Sequence, residues 1–454
     1  MRSLLSLMIL LLVCGGASRA KAKAAPRLEI SQFQLANGLT VIHAPMRRVP
    51  TVTVQLWYHA GSKDEKVGIR GIAHMFEHMM FKGSKRVGPE AHARMLGAIG
   101  GSINAYTTAD LTVYFNTVPR QYMDFAMELE AERMRNLTLT DATIKSEREV
   151  VKEEKRRRLD NNPIGRAVEA MWALAYKKHP YAWTPAGNMA DLDAITMARC
   201  QDFYSRYYGP NNATLIVVGD VSLAEVRAAA ERRFGGLSRG EAPPRVELRE
   251  PPQVALRRQE AGWPSQLNVV LGAYHVPGTR HADIPALEVL SAVLSAGRSA
   301  RLNQALVRKG KLSLYAGGFL RDQEHPGLLM IYAVGLPTHD LERMEQALLT
   351  EVERVAAEGV TGTELRRAKS QLSTGLLAAL RTPSGVASQL GMSALMRSDP
   401  AAFLGDVDRL DAVTVADIKR VAGLYLRRDN LSLILLGKKR TADTPAAKKE
   451  EVSQ

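Results

Sequence analysis

Two histidines and a glutamate form the segment of this sequence best suited to chemistry, His74-Met75-Phe76-Glu77-His78. On a helix, His74 and His78 lie four residues apart and project from one face, where two imidazoles can bind one Zn²⁺. Glu77 borders that face and can reach a water on the metal without coordinating the metal itself. Because zinc lowers the pKa of a bound water and a carboxylate can take its proton, the segment predicts metal-assisted hydrolysis.

A hydrolytic zinc site usually has a third protein ligand, and a glutamate-rich segment at 147–155 contains the candidates. Glu147 and Glu154 are two helical turns apart and can share one face of a helix. Glu154 is the candidate third ligand, but spacing alone does not choose between it and Glu153. The segment taken by itself is also typical of a solvated helix surface.

The sequence resembles the pitrilysin and mitochondrial-processing-peptidase family of zinc peptidases, and most closely its short bacterial members. The inverted order His-x-x-Glu-His defines this group, the inverzincins. The resemblance covers about residues 28–437. It rests on the zinc-helix segment 71–84, the strand segment Gly100-Gly-Ser-Ile-Asn-Ala-Tyr-Thr, the glutamates Glu147 and Glu154, His179-Pro-Tyr, and Tyr208-Gly-Pro-Asn-Asn-Ala.

The resemblance implies roles for the residues of the zinc helix and of the glutamate-rich segment. His74, His78 and Glu154 are implied to bind one Zn²⁺ per chain. Glu77 is implied to act as the general base, and Glu147 to support the metal ligands from behind.

The resemblance also implies how a peptide substrate is held. Asn104 and Ala105 are implied to bind it as an added β-strand, a mode that uses main-chain hydrogen bonds. Arg308 and Tyr315 have the seven-residue spacing of a pair that holds substrate and oxyanion. Leu312 stands where the family usually has glycine three residues before that tyrosine.

Single-chain relatives of about twice this length enclose a chamber with four such domains, so a two-domain chain implies a dimer. Both motifs lie on one chain, which favours a homodimer. The departure at Leu312 leaves open a heterodimer with a zinc-less homologous subunit.

The elements that must position these residues occur in the same order twice. The first half predicts a helix at 70–81, strands at 102–107 and 111–118, and a helical stretch over 120–178 broken near Asn161-Asn162-Pro163. After a proline-punctuated segment, a strand at 267–274, helices at 282–296 and 299–309, and strands near 314 and at 328–334 follow. Two copies of one α/β unit explain this order.

We therefore predict an α+β protein made of two homologous α/β-roll domains, each a mixed or antiparallel sheet packed with helices, which together form half of a clamshell. The zinc-binding peptidase domain is predicted at 28–240, a linker at 241–253, a peptidase-like domain at 254–437 and a disordered tail at 438–454.

The first 20 residues have the features of a secretory signal peptide. Arg2 precedes the apolar run Leu4–Val13, and small residues follow at 15–18. Lipid attachment at Cys14 is the less favoured alternative, because Val13 before it is bulky. The mature chain is expected to be exported, periplasmic or secreted, without an integral membrane segment.

Composition excludes several classes of protein. The 454 residues include only two cysteines, which excludes a disulfide framework. The net charge of +14 is spread along the chain, and the basic run at 155–158 is not part of a recognisable nucleic-acid module. We expect an exported zinc metalloendopeptidase acting on peptides or unfolded segments, without a nucleic-acid partner. The alternatives are a zinc-bearing subunit that needs a partner chain and a non-catalytic scaffold subunit.

Overall fold

The computed structural model describes residues 28–262 and 266–437, which form two β-sheets covered by helices. The predicted signal peptide at 1–20, Cys14 and the predicted tail at 438–454 lie outside these residues. Within the described ranges, no helix is both long and apolar enough to cross a membrane.

The first sheet supports the candidate metal-binding segment. Its strands are β1 (Ser31–Gln34), β2 (Thr40–Pro45), β3 (Thr51–Tyr58), β4 (Ser102–Thr107), β5 (Thr112–Pro119) and β6 (Ala213–Gly219). Their order is β1-β2-β6-β3-β5-β4, and only β2 and β6 are parallel. The central strands β3 and β6 consist mainly of β-branched, aliphatic and aromatic residues, which suits strands buried on both faces. β4 is an edge strand, so one side of its backbone is open to another strand.

The second sheet repeats this arrangement. Its strands are β7 (Arg257–Gly262), β8 (Asn268–Val276), β9 (Tyr315–Arg321), β10 (Gly327–Gly335) and β11 (Leu431–Gly437). Their order is β7-β11-β8-β10-β9, again with one parallel pair, β7 and β11. Without β1, the two sheets have the same order and directions, which confirms the predicted α+β class. Residues 238–256 contain no helix or strand, and the predicted domain boundaries stay a prediction.

The helices predicted at 70–81, over 120–178, at 282–296 and at 299–309 are present, with two differences. In the first half the helices are α1 (Ile72–Met79), α2 (Ala91–Ala98), α3 (Met123–Asn136), α4 (Asp141–Lys155), α5 (Pro163–Ala175), α6 (Met189–Ala194), α7 (Met197–Tyr207) and α8 (Leu223–Phe234). In the second they are α9 (Ile284–Ser295), α10 (Leu341–Glu358), α11 (Gly362–Ala379), α12 (Pro383–Arg397), α13 (Asp406–Ala412) and α14 (Val415–Tyr425). The stretch over 120–178 has an additional break before α4, because the Thr140 side chain caps that helix. Residues 156–160 and 303–309 form π-helical turns rather than regular α-helix.

Each half contributes one helix to the sheet of the other half. α5 packs on β8 and β11, whereas α12 packs on β3 and β6. The opposite face of each sheet is covered by helices of its own half. Gly391 allows α12 to approach Trp57, because a Cβ atom at 391 would lie 2.3 Å from the indole ring. Helices therefore cover both faces of the central strands of both sheets, and the exchange holds the two halves together.

Candidate metal centre

The amphipathic pattern of α1 leaves its two histidines outside the core. His74, Glu77 and His78 are partly exposed on the opposite side of the helix from its apolar residues. The residues of α1 buried in the first core are Ile72, Ala73, Met75, Phe76 and Met79. Because these five side chains fix the rotation of the helix, the histidines face α4, on which α1 packs.

The structure brings His74, His78 and Glu154 together. One ligand atom of each lies within 4.8 Å of the other two, and no second such group occurs within the described residues. Glu154 Oε2 is 3.4 Å from His78 Nε2 and 3.8 Å from His74 Nε2. The ligands of a tetrahedral Zn²⁺ at about 2.0–2.1 Å are about 3.3 Å apart, so the three atoms fit this ion.

The surroundings of His74 favour the form of imidazole that binds metal. Burial, followed by the charge of His78, lowers the pKa of His74 to about 4. A neutral ring offers a lone pair, so no proton has to be displaced from His74 at neutral pH when a metal binds.

The structure distinguishes Glu153 from Glu154, which sequence spacing alone could not do. Both residues lie on α4. Glu154 faces α1, and its side chain is 14% exposed. Glu153 is 70% exposed and pairs with Arg156 at 3.1 Å. Arg158, in the π-helical turn, forms an ion pair with the other oxygen of Glu154. Glu154 is therefore the carboxylate placed to bind metal.

Glu147 lies near the ring nitrogen of His78 that faces away from Glu154. Its Oε2 is 3.7 Å from His78 Nδ1, and its Oε1 is 3.2 Å from the ammonium nitrogen of Lys82. Burial would raise the pKa of Glu147, but the charges of His78 and Lys82 outweigh burial and lower that pKa. A carboxylate on the far nitrogen of a ligating histidine fixes the orientation of the ring.

Glu77 is held by the edge strand. The Thr107 hydroxyl, at the end of β4, donates a hydrogen bond of 2.7 Å to Glu77 Oε2. Burial raises the pKa of Glu77, which brings the carboxylate closer to the basicity that a general base needs near neutral pH. Sequence reasoning did not single out Thr107. Its position in the Gly100–Thr107 segment was the only available signal.

The predicted substrate-binding residues lie in two separate places. Asn104 and Ala105 are in β4, against which α1, the helix of His74 and His78, packs. Arg308 lies in the π-helical turn at 303–309, and Tyr315 begins β9 with 66% of its surface exposed. Within the described part of the chain, neither Arg308 nor Tyr315 forms a hydrogen bond or ion pair with His74, His78 or Glu154.

The backbone before Tyr315 accommodates Leu312 without strain. The positive φ in this segment is at Lys311 (50°), and Leu312 packs against the second core. A glycine at 312 is therefore not required by the local conformation.

Two parts of the chain match models of one peptidase family. Residues 41–186 match the family model "Insulinase (Peptidase family M16)", and residues 194–372 match "Peptidase M16 inactive domain". "Zinc protease PqqE" of Helicobacter pylori is 32% identical over 439 residues, which are 96% of this chain and 98% of that protein.

Solved structures show the same fold. The crystal structure of a protease from Helicobacter pylori has a TM-score of 0.88 at 31% identity and covers 90% of this chain and 99% of that chain. The periplasmic protease PqqL of Escherichia coli has a TM-score of 0.73 at 23% identity. That match covers 90% of this chain but 47% of PqqL, as expected for half of a clamshell. The two sheets, the family models and the identity to PqqE together show that this chain belongs to peptidase family M16.

Proposed function

We propose that this chain is an exported zinc metalloendopeptidase that hydrolyses peptides or unfolded segments inside a dimeric chamber. The observation that carries the proposal is the cluster of His74, His78 and Glu154, with Glu77 on the same helix face. Three protein ligands that leave one position open are typical of hydrolytic rather than structural zinc.

The chain's own residues supply the remaining chemistry. Bound Zn²⁺ would lower the pKa of a water and polarise the scissile carbonyl. Glu77, aligned by Thr107, accepts a proton from the attacking water and later delivers it to the leaving amine. Glu147 keeps His78 oriented throughout.

The edge strand β4 supports a peptide substrate. Asn104 and Ala105 lie on the strand whose last residue, Thr107, contacts the general base. A substrate added alongside β4 would be held by main-chain hydrogen bonds, which are indifferent to most side chains. We therefore propose that the endopeptidase tolerates a broad range of substrate sequences.

Arg308 and Tyr315 lie in the second half of the chain, whereas His74, His78 and Glu154 lie in the first half. We propose a homodimer in which this pair of one protomer serves the metal centre of the other, with a zinc-less homologous partner as the alternative. We propose export on the basis of the predicted signal peptide at 1–20, and the word periplasmic in the description of PqqL is consistent with it.

Peptide cleavage by the purified mature chain tests the proposal. A mixed peptide library is incubated with the chain, with the chain plus a zinc chelator, and after Zn²⁺ is restored. We expect cleavage that the chelator abolishes and zinc restores. A chain that binds no zinc would overturn the proposal. A zinc-loaded chain that cleaves nothing would contradict a self-sufficient homodimer and indicate a missing partner subunit.

A further inference from the structure

Glu65 is a buried carboxylate at the start of the metal-binding helix, and the hydrolytic chemistry does not use it. The residue is 3% exposed. Its Oε2 accepts hydrogen bonds from the Gly71 amide at 2.9 Å and from the Trp183 indole at 3.1 Å, and its Oε1 accepts one from the Ala73 amide at 2.9 Å. Burial raises the pKa of Glu65, whereas these three donors act in the opposite direction and favour the ionised carboxylate.

α1 has no side-chain cap of its own. The residue before the helix is Gly71, which has a φ of 99° and no side chain. The first amides of a helix lack partners within the helix and need an acceptor from elsewhere. Glu65, six residues upstream of Gly71, supplies that acceptor, and His74 directly follows the second amide that it binds.

The surrounding segments fit closely around this end of the helix. A Cβ atom at Gly71 would lie 2.8 Å from Leu192 and 3.2 Å from the Cα atom of Gly187. The Trp183 indole that reaches Glu65 also donates to the carbonyl of Ser62 at 2.9 Å. The beginning of α1 is therefore fixed to two other segments, and Glu65 lies where the three meet.

We propose that Glu65 is a positioning residue for the metal centre, holding the first turn of α1 so that His74 and His78 face Glu154. The inference rests on the proposed zinc function. All three partners of Glu65 are donors, so an isosteric glutamine must direct an N–H toward at least one of them. The resulting shift in α1 would reach His74 within one helical turn.

Glu250 provides a matched control. Its side chain is 5% exposed and accepts hydrogen bonds from three backbone amides, those of Lys177, Lys178 and His179, at 2.9, 2.9 and 3.0 Å. Glu250→Gln therefore creates the same chemical conflict at residues 177–179, which lie outside α1.

The experiment compares Glu65→Gln and Glu250→Gln in the full mature chain. We expect both to lower the thermal midpoint. Only Glu65→Gln should weaken Zn²⁺ affinity, by about 10- to 100-fold, and change the visible spectrum of the Co²⁺-substituted chain. Trp183→Phe, which removes one donor and keeps a ring, should weaken Zn²⁺ binding less and serves as the test if Glu65→Gln does not fold.

The inference would be overturned if Glu65→Gln kept the zinc affinity and the spectrum of the wild type. The same holds for Trp183→Phe where that variant serves as the test. An equal loss of affinity in Glu250→Gln would overturn it as well. Absence of Zn²⁺ binding by the wild-type chain would instead overturn the proposed function, so the two failures are distinguishable.

Discussion

At the scale of single residues, one carboxylate oxygen completes the proposed zinc site. Glu154 Oε2 faces both imidazoles, whereas Glu153 points outward and pairs with Arg156. We expect Glu154→Gln to lower Zn²⁺ affinity by more than about 100-fold, since loss of even an outer partner typically costs about 10- to 100-fold. Glu153→Gln is the matched control and should bind Zn²⁺ normally. Competition with a chelating dye measures both, and equal affinities would contradict the assignment.

Spacing within one helix predicted part of the candidate site. His74, Glu77 and His78 follow from a single motif. Spacing alone does not choose between Glu153 and Glu154 as the third ligand, whereas the family resemblance implies Glu154. Thr107 could not be predicted, because its contact with Glu77 joins segments 30 residues apart and no periodicity encodes that contact. Glu65 was missed for a related reason. A glutamate in a loop shows its role only when the helix it caps is seen beside it.

At the scale of elements, the exchanged helix α12 depends on a glycine. The Cβ atom of an alanine at 391 would lie 2.3 Å from the Trp57 ring, so the helix would have to move away from the first sheet. We expect Gly391→Ala to lower the free energy of unfolding by about 1–3 kcal/mol, as overpacked cores do.

Gly375→Ala is the control for this prediction. Gly375 lies in α11 with open space around its Cα atom, so alanine there should be neutral or stabilise the helix by up to about 1 kcal/mol. Urea unfolding measures both variants. Equal stability of Gly391→Ala and Gly375→Ala would contradict the packing of α12 on Trp57.

Sequence patterns predicted the strands and helices better than they predicted which of these elements pack together. The repeated order of strands and helices was visible in the sequence, and the sheets confirm it. The exchange of α5 and α12 was not predicted, because an apolar helix face shows that the helix is buried but not which sheet covers it. The break before α4 was also missed, although Thr140 offers the capping side chain that causes it.

At the scale of the whole molecule, a polar cluster joins the two halves. Glu324, between β9 and β10, lies 2.9 Å from His59 Nε2 and 3.5 Å from the ammonium nitrogen of Lys63. Burial would raise the pKa of Glu324, but the hydrogen bond with His59 and the charge of Lys63 lower it from 4.5 to about 2.

The lowered pKa of Glu324 predicts a pH dependence. Because the folded pKa is below the unfolded value, the stabilisation is complete above pH 4.5 and is lost as the pH falls through about 2. The difference in unfolding free energy between wild type and Glu324→Gln should therefore shrink over that range. Urea unfolding at a series of acidic pH values measures this difference. A difference that does not change with pH would contradict the role of Glu324.

The proposed homodimer predicts complementation between inactive chains. If Tyr315 serves the metal centre of the other protomer, mixed dimers of Glu77→Gln and Tyr315→Phe chains contain one intact site. Random mixing of equal amounts should then restore about a quarter of the wild-type sites. Peptidase assays before and after the two chains are unfolded and refolded together measure this gain. No gain would show that the pair acts within one chain or not at all.

The central claim is that Glu77 is the base of a zinc peptidase, and one comparison tests it most directly. Wild type and Glu77→Gln are prepared with one zinc per chain, shown by metal analysis, and assayed on the same peptide library. We predict at least about a 100-fold loss of cleavage in Glu77→Gln, in line with removal of a general base. Normal cleavage by the zinc-loaded Glu77→Gln chain would contradict the account.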